Sequence, residues 1–172
     1  MTSGRLLLPS YHTTAFKGDG EISKGHTLYS DDHGVTWHIG STEFGSPYFS
    51  NEGQAVELSN GTILINSRVL STHRIQTRSL DGGLTFDAPV VAEGLVESIE
   101  GCEGSIVRDS NTGILYFSIP YNAGVYRKNM TILSSFDEGL TWQIYITVDE
   151  GAASYSALQI LPEENALGLL YE

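Results

Sequence analysis

Apolar positions along this chain come in short alternating runs, and the three-and-four spacing of an amphipathic helix is almost absent. Alternation with a period of two marks half-buried strands. It predicts strands near residues 5–8, 26–30, 35–39, 53–58, 62–69, 75–80, 84–87, 104–108, 113–119, 130–135, 140–147, 157–161 and 166–171. Turn-forming clusters separate them, at Gly18-Asp19-Gly20, Asp32-His33-Gly34, Asn60-Gly61, Asp81-Gly82-Gly83, Asn111-Thr112-Gly113 and Asp137-Glu138-Gly139. The longest stretch without Gly or Pro, Thr62 to Leu80, is rich in Ser, Thr, Val and Ile, which favour strand over helix. The expected fold is all-β, in the class of sandwiches, barrels and propellers.

Three of the turns repeat one frame, Ser-x-Asp-x-Gly-x-Thr-aromatic: Ser30 to Trp37, Ser79 to Phe86 and Ser135 to Trp142. Their first residues lie 49 and 56 positions apart (79 − 30 and 135 − 79). In such a frame the Asp accepts main-chain N–H bonds inside its own turn, and Gly supplies the positive φ. Asp32, Asp81 and Asp137 are therefore expected to lock turns rather than to catalyse. One frame per four-stranded unit gives about three propeller blades.

Composition narrows the function. The 172 residues carry a net charge of −12, which argues against a nucleic-acid or anionic-membrane surface. No apolar run approaches the ~18 residues of a membrane span. A single cysteine, Cys102, leaves no intrachain disulfide and no paired-cysteine metal site, and the five histidines show no metal-ligand spacing. Neither a metal nor a cofactor is expected.

The repeated frames resemble the Asp-boxes of the sialidase (neuraminidase) superfamily, whose catalytic domain is a six-bladed β-propeller. The stretches between them extend the resemblance. Residues 51–68, N-E-G-Q-A-V-E-L-S-N-G-T-I-L-I-N-S-R, are similar to the sialidase segment E-C-Q-x-x-E-L-x-x-G-x-x-x-x-N-A-R, with Gly53 and Ser67 as small departures. Phe117-Ser118-Ile119-Pro120 followed by Arg127-Lys128-Asn129-Met130-Thr131 resembles the family's S-N-P…R-x-N-[LM]-T, and Tyr155-Ser156-Ala157-Leu158 its Y-S-[DSA]-L. Leu170-Tyr171-Glu172 resembles its L-Y-E, and Pro9-Ser10-Tyr11 a P-x-Y segment of the sugar pocket.

The resemblance implies a retaining exo-α-sialidase acting on sialylated glycans. In it Tyr155 is the nucleophile, Glu52 its base, Arg68 and Arg127 hold the substrate carboxylate, Tyr11 contacts the sugar, and Glu172 positions a further arginine. That arginine sits in the family's F/Y-R-I-P segment, which precedes the Asp used as acid/base; this sequence contains neither. The chain is thus expected to be an incomplete propeller over residues 1–172, beginning within about the third blade, poorly active alone, with exposed blade edges that favour self-association. The rival is a non-catalytic propeller segment that binds glycan or protein.

The chemistry suits the residue types. Sialic acid carries a carboxylate at its anomeric centre, so a neutral phenol attacks without the repulsion an anionic nucleophile would meet. The phenol must lose its proton as it attacks, which calls for a nearby carboxylate. Arginine's planar fork matches a carboxylate bidentately. With Asn60-Gly61 read as a two-residue turn, Glu52 faces Val69 and Arg68 faces Gly53. Strict alternation then sends Glu52 and Arg68 to opposite faces, so a shared site requires a bulge or a strand end near Glu52.

Overall fold

A computed structural model describes residues 1–17 and 20–172; the turn expected at Gly18-Asp19-Gly20 falls largely on residues outside that range. Among the described residues every regular element is a strand. The order is β1 (Leu6–Lys17), β2 (Gly20–Ser30), β3 (His38–Ile39), β4 (Asn51–Glu57), β5 (Ile63–Arg68), β6 (His73–Ser79), β7 (Val90–Val96), β8 (Ser105–Arg108), β9 (Leu115–Pro120), β10 (Lys128–Ser135), β11 (Gln143–Ala152), β12 (Ser156–Leu161) and β13 (Ala166–Tyr171).

The strands form sheets in which sequence neighbours are spatial neighbours: β1-β2-β3, β4-β5-β6-β7, β8-β9-β10-β11 and β12-β13. Two sheets therefore have the four strands of a propeller blade, and the other two have three and two. By packing the chain divides into two compact units, Met1–Val69 with Ile75–Val90, and Leu70–Arg74 with Val91–Glu172. In the first, Phe44, Ile63 and Ile65 form a core against which Leu7, Ala55 and Phe86 pack. In the second, Leu95, Leu115, Phe117, Ile119, Met130 and Leu133 are fully buried.

Each Asp-box occupies the connection into the last strand of its sheet, between β2 and β3, β6 and β7, and β10 and β11. The three share one hydrogen-bond pattern. The Ser hydroxyl donates to Asp Oδ1 at 2.8, 2.7 and 2.8 Å and accepts the Gly N–H at 2.8 Å each time. The Thr hydroxyl donates to Asp Oδ2 at 2.6 Å in all three, and the Thr N–H to Oδ1 at 2.8 to 2.9 Å. In the second and third boxes the aromatic turns inward, Phe86 lying 5.2 Å from Phe44 and Trp142 meeting Phe117 edge-on at 5.8 Å, whereas Trp37 of the first is 41% exposed and donates to the Gly34 carbonyl at 3.1 Å.

This network sets the acid response of the fold. Hydrogen bonds from Thr36 and Ser30 hold the Asp32 carboxyl down at about 2. At Asp81 partial burial pushes upward, but the bonds from Thr85, Ser79 and Leu84 outweigh it and the value again is about 2. The folded values lie below the ordinary 3.8, so both groups stabilise the fold fully above about pH 4 and lose that contribution as pH falls toward 2. Asp81→Asn should therefore be less stable than the parent at pH 7, with a shallower decline between pH 4 and 2. Urea midpoints across that range measure it, and equal slopes would show that the box does not titrate.

Two sequence expectations need correction. The Asn60-Gly61 hairpin has a three-residue loop, not a two-residue one. Glu57 pairs with Ile63 and Gly53 with Ser67, while the Leu58 N–H bonds the Thr62 carbonyl and Gly61 takes φ +83°. A left-handed Gly closing a three-residue loop shifts the register by one. The strand expected at 84–87 is the end of the second Asp-box, and β7 begins only at Val90, after Pro89, which has no N–H to give a ladder. Within β7, Gly94 has φ +89°, and a Cβ there would lie 2.7 Å from the Trp142 carbonyl oxygen. Glycine is what lets the third Asp-box approach this strand.

Candidate active site

The first unit brings Glu52 and Arg68 together. Asn51 pairs with Arg68 and Gly53 with Ser67, which leaves Glu52 as the extra residue of a β-bulge. Its φ is +26°, outside the ordinary regions for a residue with a Cβ. The bulge breaks strict alternation, and the Glu52 carboxylate accepts a 2.6 Å bond from Arg68 Nη1, both side chains being more than four-fifths buried. Strain held at one polar residue is a frequent mark of a functional site. At Gly53 a Cβ would meet Ser67 Oγ at 3.1 Å, Ile65 at 3.2 Å and Pro9 at 3.6 Å, so β1 runs close against the bulge. Tyr11, two residues beyond Pro9 on β1, pairs with Gly25 and is 44% exposed.

The second unit assembles Arg127, Tyr155 and Glu172. Arg127 ends the connection from β9 to β10 and Tyr155 precedes β12. The Arg127 guanidinium carbon lies 5.7 Å from the centre of the Tyr155 ring, within cation–π range. Arg127 Nη2 donates to the Gly101 carbonyl at 3.0 Å, and Nη1 to Ser154 Oγ at 3.4 Å. Tyr155 is 39% exposed. Glu172 is tied beside it through the main chain: the Ser154 N–H donates to the Glu172 carbonyl at 2.9 Å, and the Glu172 N–H to the Tyr155 carbonyl at 3.1 Å. Ser154 and the Gly101 carbonyl are partners the sequence did not single out.

Asp32, Asp81 and Asp137 sit in their turns, each carboxylate held by its own Ser and Thr. Among the described residues no group of three or more His, Cys, Asp or Glu is placed to hold a metal ion. One histidine contact was invisible to linear spacing: His12 and His26, on β1 and β2, bring their Nδ1 atoms to 3.1 Å. Burial first, and then His12, lowers the pKa of His26. No helix is long and apolar enough to cross a membrane, among the described residues.

A bulged Glu–Arg pair, an Arg beside a half-exposed Tyr, and Asp-boxes on three- and four-stranded sheets converge with one sequence family. The profile of the BNR repeat-like domain matches residues 1–169. The chain belongs to that family. Its relatives are sialidases. It is 35% identical to the sialidase of Micromonospora viridifaciens over 158 residues, which is 85% of this chain and 23% of that protein. It is 31% identical to the anhydrosialidase of the leech Macrobdella decora over 99% of this chain and 23% of that one. Among solved structures, the intramolecular trans-sialidase of Ruminococcus gnavus superposes with a TM-score of 0.74 at 26% identity, covering 98% of this chain and 36% of that one. The chain thus spans about a quarter of the length of these two curated relatives. The fold is that of the sialidase β-propellers.

Proposed function

We propose that this BNR-repeat chain carries part of the active site of a retaining exo-α-sialidase, which releases terminal sialic acids from glycoconjugates. The observation that carries the reading is Tyr155, a phenol open to solvent on one side with the Arg127 guanidinium over its ring. A cation there lowers the cost of charge on the phenol oxygen and offers N–H donors to a substrate carboxylate. The two relatives named above, a sialidase and an anhydrosialidase, suggest the substrate class.

In the proposed reaction the Tyr155 oxygen attacks the anomeric carbon and forms a C–O bond. The bond to the aglycone breaks, its electron pair leaving on the glycosidic oxygen, and the phenolic proton passes to Glu52. Water then attacks the same carbon, the C–O bond to Tyr155 breaks, Glu52 returns its proton to the departing phenol oxygen, and the proton that water loses balances the one the aglycone takes up, which frees sialic acid. Arg68 and Arg127 bind the substrate carboxylate, Tyr11 contacts the sugar, and Glu172 holds a third arginine. That arginine and the general acid have no counterpart among the residues that carry the resemblance, so residues 1–172 form an incomplete sialidase propeller domain.

The test uses 2,3-difluorosialic acid. Fluoride leaves C2 without needing a proton, and the neighbouring fluorine slows breakdown of the adduct. Mass spectrometry should find one sialyl adduct, on the peptide containing Tyr155, and none in Tyr155→Phe. An unlabelled Tyr155 in a folded chain that nonetheless binds sialic acid would favour the non-catalytic glycan-binding module. Product analysis with a natural sialoside would separate hydrolysis from the intramolecular transfer named for the leech and Ruminococcus structures.

A further inference from the structure

We infer that the buried Arg74–Glu97 pair is a positioning device for Arg127, acting through one peptide group. Arg74 and Glu97 are fully buried and joined at 3.0 Å, and Arg74 also stacks over Phe117 at 5.0 Å. A buried ion pair adds little stability over an apolar pair of the same size, because desolvation consumes most of the attraction. Its distinctive property is geometric, and here it grips main chain.

Glu97 Oε2 accepts the Cys102 N–H at 3.1 Å, and Arg74 Nη1 donates to the Cys102 carbonyl at 2.5 Å. Both main-chain polar groups of Cys102 are thus fixed by the pair. The Cys102 N–H belongs to the same planar peptide unit as the Gly101 carbonyl, and in a trans peptide the two point in opposite directions. Holding the N–H on Glu97 therefore aims the Gly101 oxygen, and that oxygen receives Arg127 Nη2 at 3.0 Å. The turn behind it is tight: the Gly101 N–H donates to the Ser98 carbonyl at 2.7 Å with Gly101 at φ +66°. A carboxylate on the N–H also polarises the peptide, which makes its carbonyl a stronger acceptor for a cation. The relay thus runs from Glu97, through the Gly101–Cys102 peptide, to the guanidinium beside Tyr155. Arg127 has five N–H donors in a rigid fork, so fixing Nη2 on Gly101 sets the orientation of the others. That those donors receive a sialic-acid carboxylate rests on the proposed function; that the pair sets their position does not.

The chain has six arginines, so selective Nε-15N labelling gives a spectrum in which Arg127 is assigned by its loss in Arg127→Lys. The key variant is Arg74→Met/Glu97→Leu, which removes the grip on Cys102 while keeping the site apolar and filled. Its Arg127 resonance should shift or broaden, and KM for an aryl sialoside should rise about tenfold, equal to about 1.4 kcal/mol, with kcat little changed. Glu97→Gln keeps an oxygen for the Cys102 N–H and should restore most of the parent behaviour, which a role in bulk stability alone would not require. In an Arg127→Ala background the double substitution should weaken sialoside binding no further, whereas independent sites would add. An unmoved Arg127 resonance in the folded double variant, or additive losses, would overturn the inference. A parent chain that neither binds nor cleaves sialosides would defeat the proposed function, while the Arg127 resonance would still decide the positioning.

Discussion

Arg74→Met is expected to be among the most destabilising single substitutions in the chain, at about 3–5 kcal/mol. The reason is what it leaves behind. Glu97 is at 0% exposure, and without Arg74 its carboxylate keeps the Cys102 N–H but loses the cation that offsets its desolvation. The Cys102 carbonyl loses its guanidinium donor as well. Domains of this size hold only about 5–15 kcal/mol in total, so such a loss removes a large share of the margin. Arg74→Met/Glu97→Leu should cost much less than Arg74→Met alone, because no charge is stranded. Urea midpoints of the parent, both single variants and the double variant measure the cycle. A double variant as unstable as the sum of the singles would mean that the pair contributes through independent packing rather than through its charges.

What the sequence made legible follows the range of the interactions. The Asp-boxes close within eight residues, and their bonds run between neighbours in the chain, so Ser30, Asp32 and Thr36 announced their geometry before any fold was known. β5 and β10, buried along nearly their whole length, were legible as short runs rich in Ile, Leu, Met and Thr. The β4–β5 register was missed by one because the choice between two- and three-residue loops at Asn60-Gly61 depends on the left-handed Gly61, which either loop accommodates. β7 was missed because Val90 and Val91 are half exposed and Gly94 interrupts the run. The break expected near Glu52 rested on the two-residue register; in the observed register Glu52 would face Arg68 without one, so the bulge there is a feature that the pairing did not require. The Arg74–Glu97–Gly101–Arg127 relay left no trace, since its arginines reach partners 23 to 28 positions away and its middle link is a peptide group with no side-chain signature. The partners of Arg127 and Tyr155 became visible only once β10 and β12 were in place.

Tyr155→Phe should abolish cleavage of an aryl sialoside, and Glu52→Gln should reduce kcat by about 10²- to 10⁴-fold, the range for loss of a positioned base. An aryl substrate is chosen because its phenolate leaves without a proton, so turnover depends on nucleophile and base rather than on a general acid. A phenol that attacks carbon must lose its proton as the bond forms. If the two residues act as one device, Tyr155→Phe/Glu52→Gln will be no slower than Tyr155→Phe alone, since a base without a nucleophile has nothing to activate. Arg127→Lys keeps the charge but loses the fork that meets both Gly101 and a carboxylate, so its effect should fall on KM more than on kcat. Steady-state kinetics on the folded variants, checked by circular dichroism, separate these outcomes. Retained turnover in Tyr155→Phe would remove the glycosyl-tyrosine step. Multiplying losses in the double variant would mean that Glu52 serves its partner Arg68, with which it already shares a 2.6 Å bond, rather than the phenol.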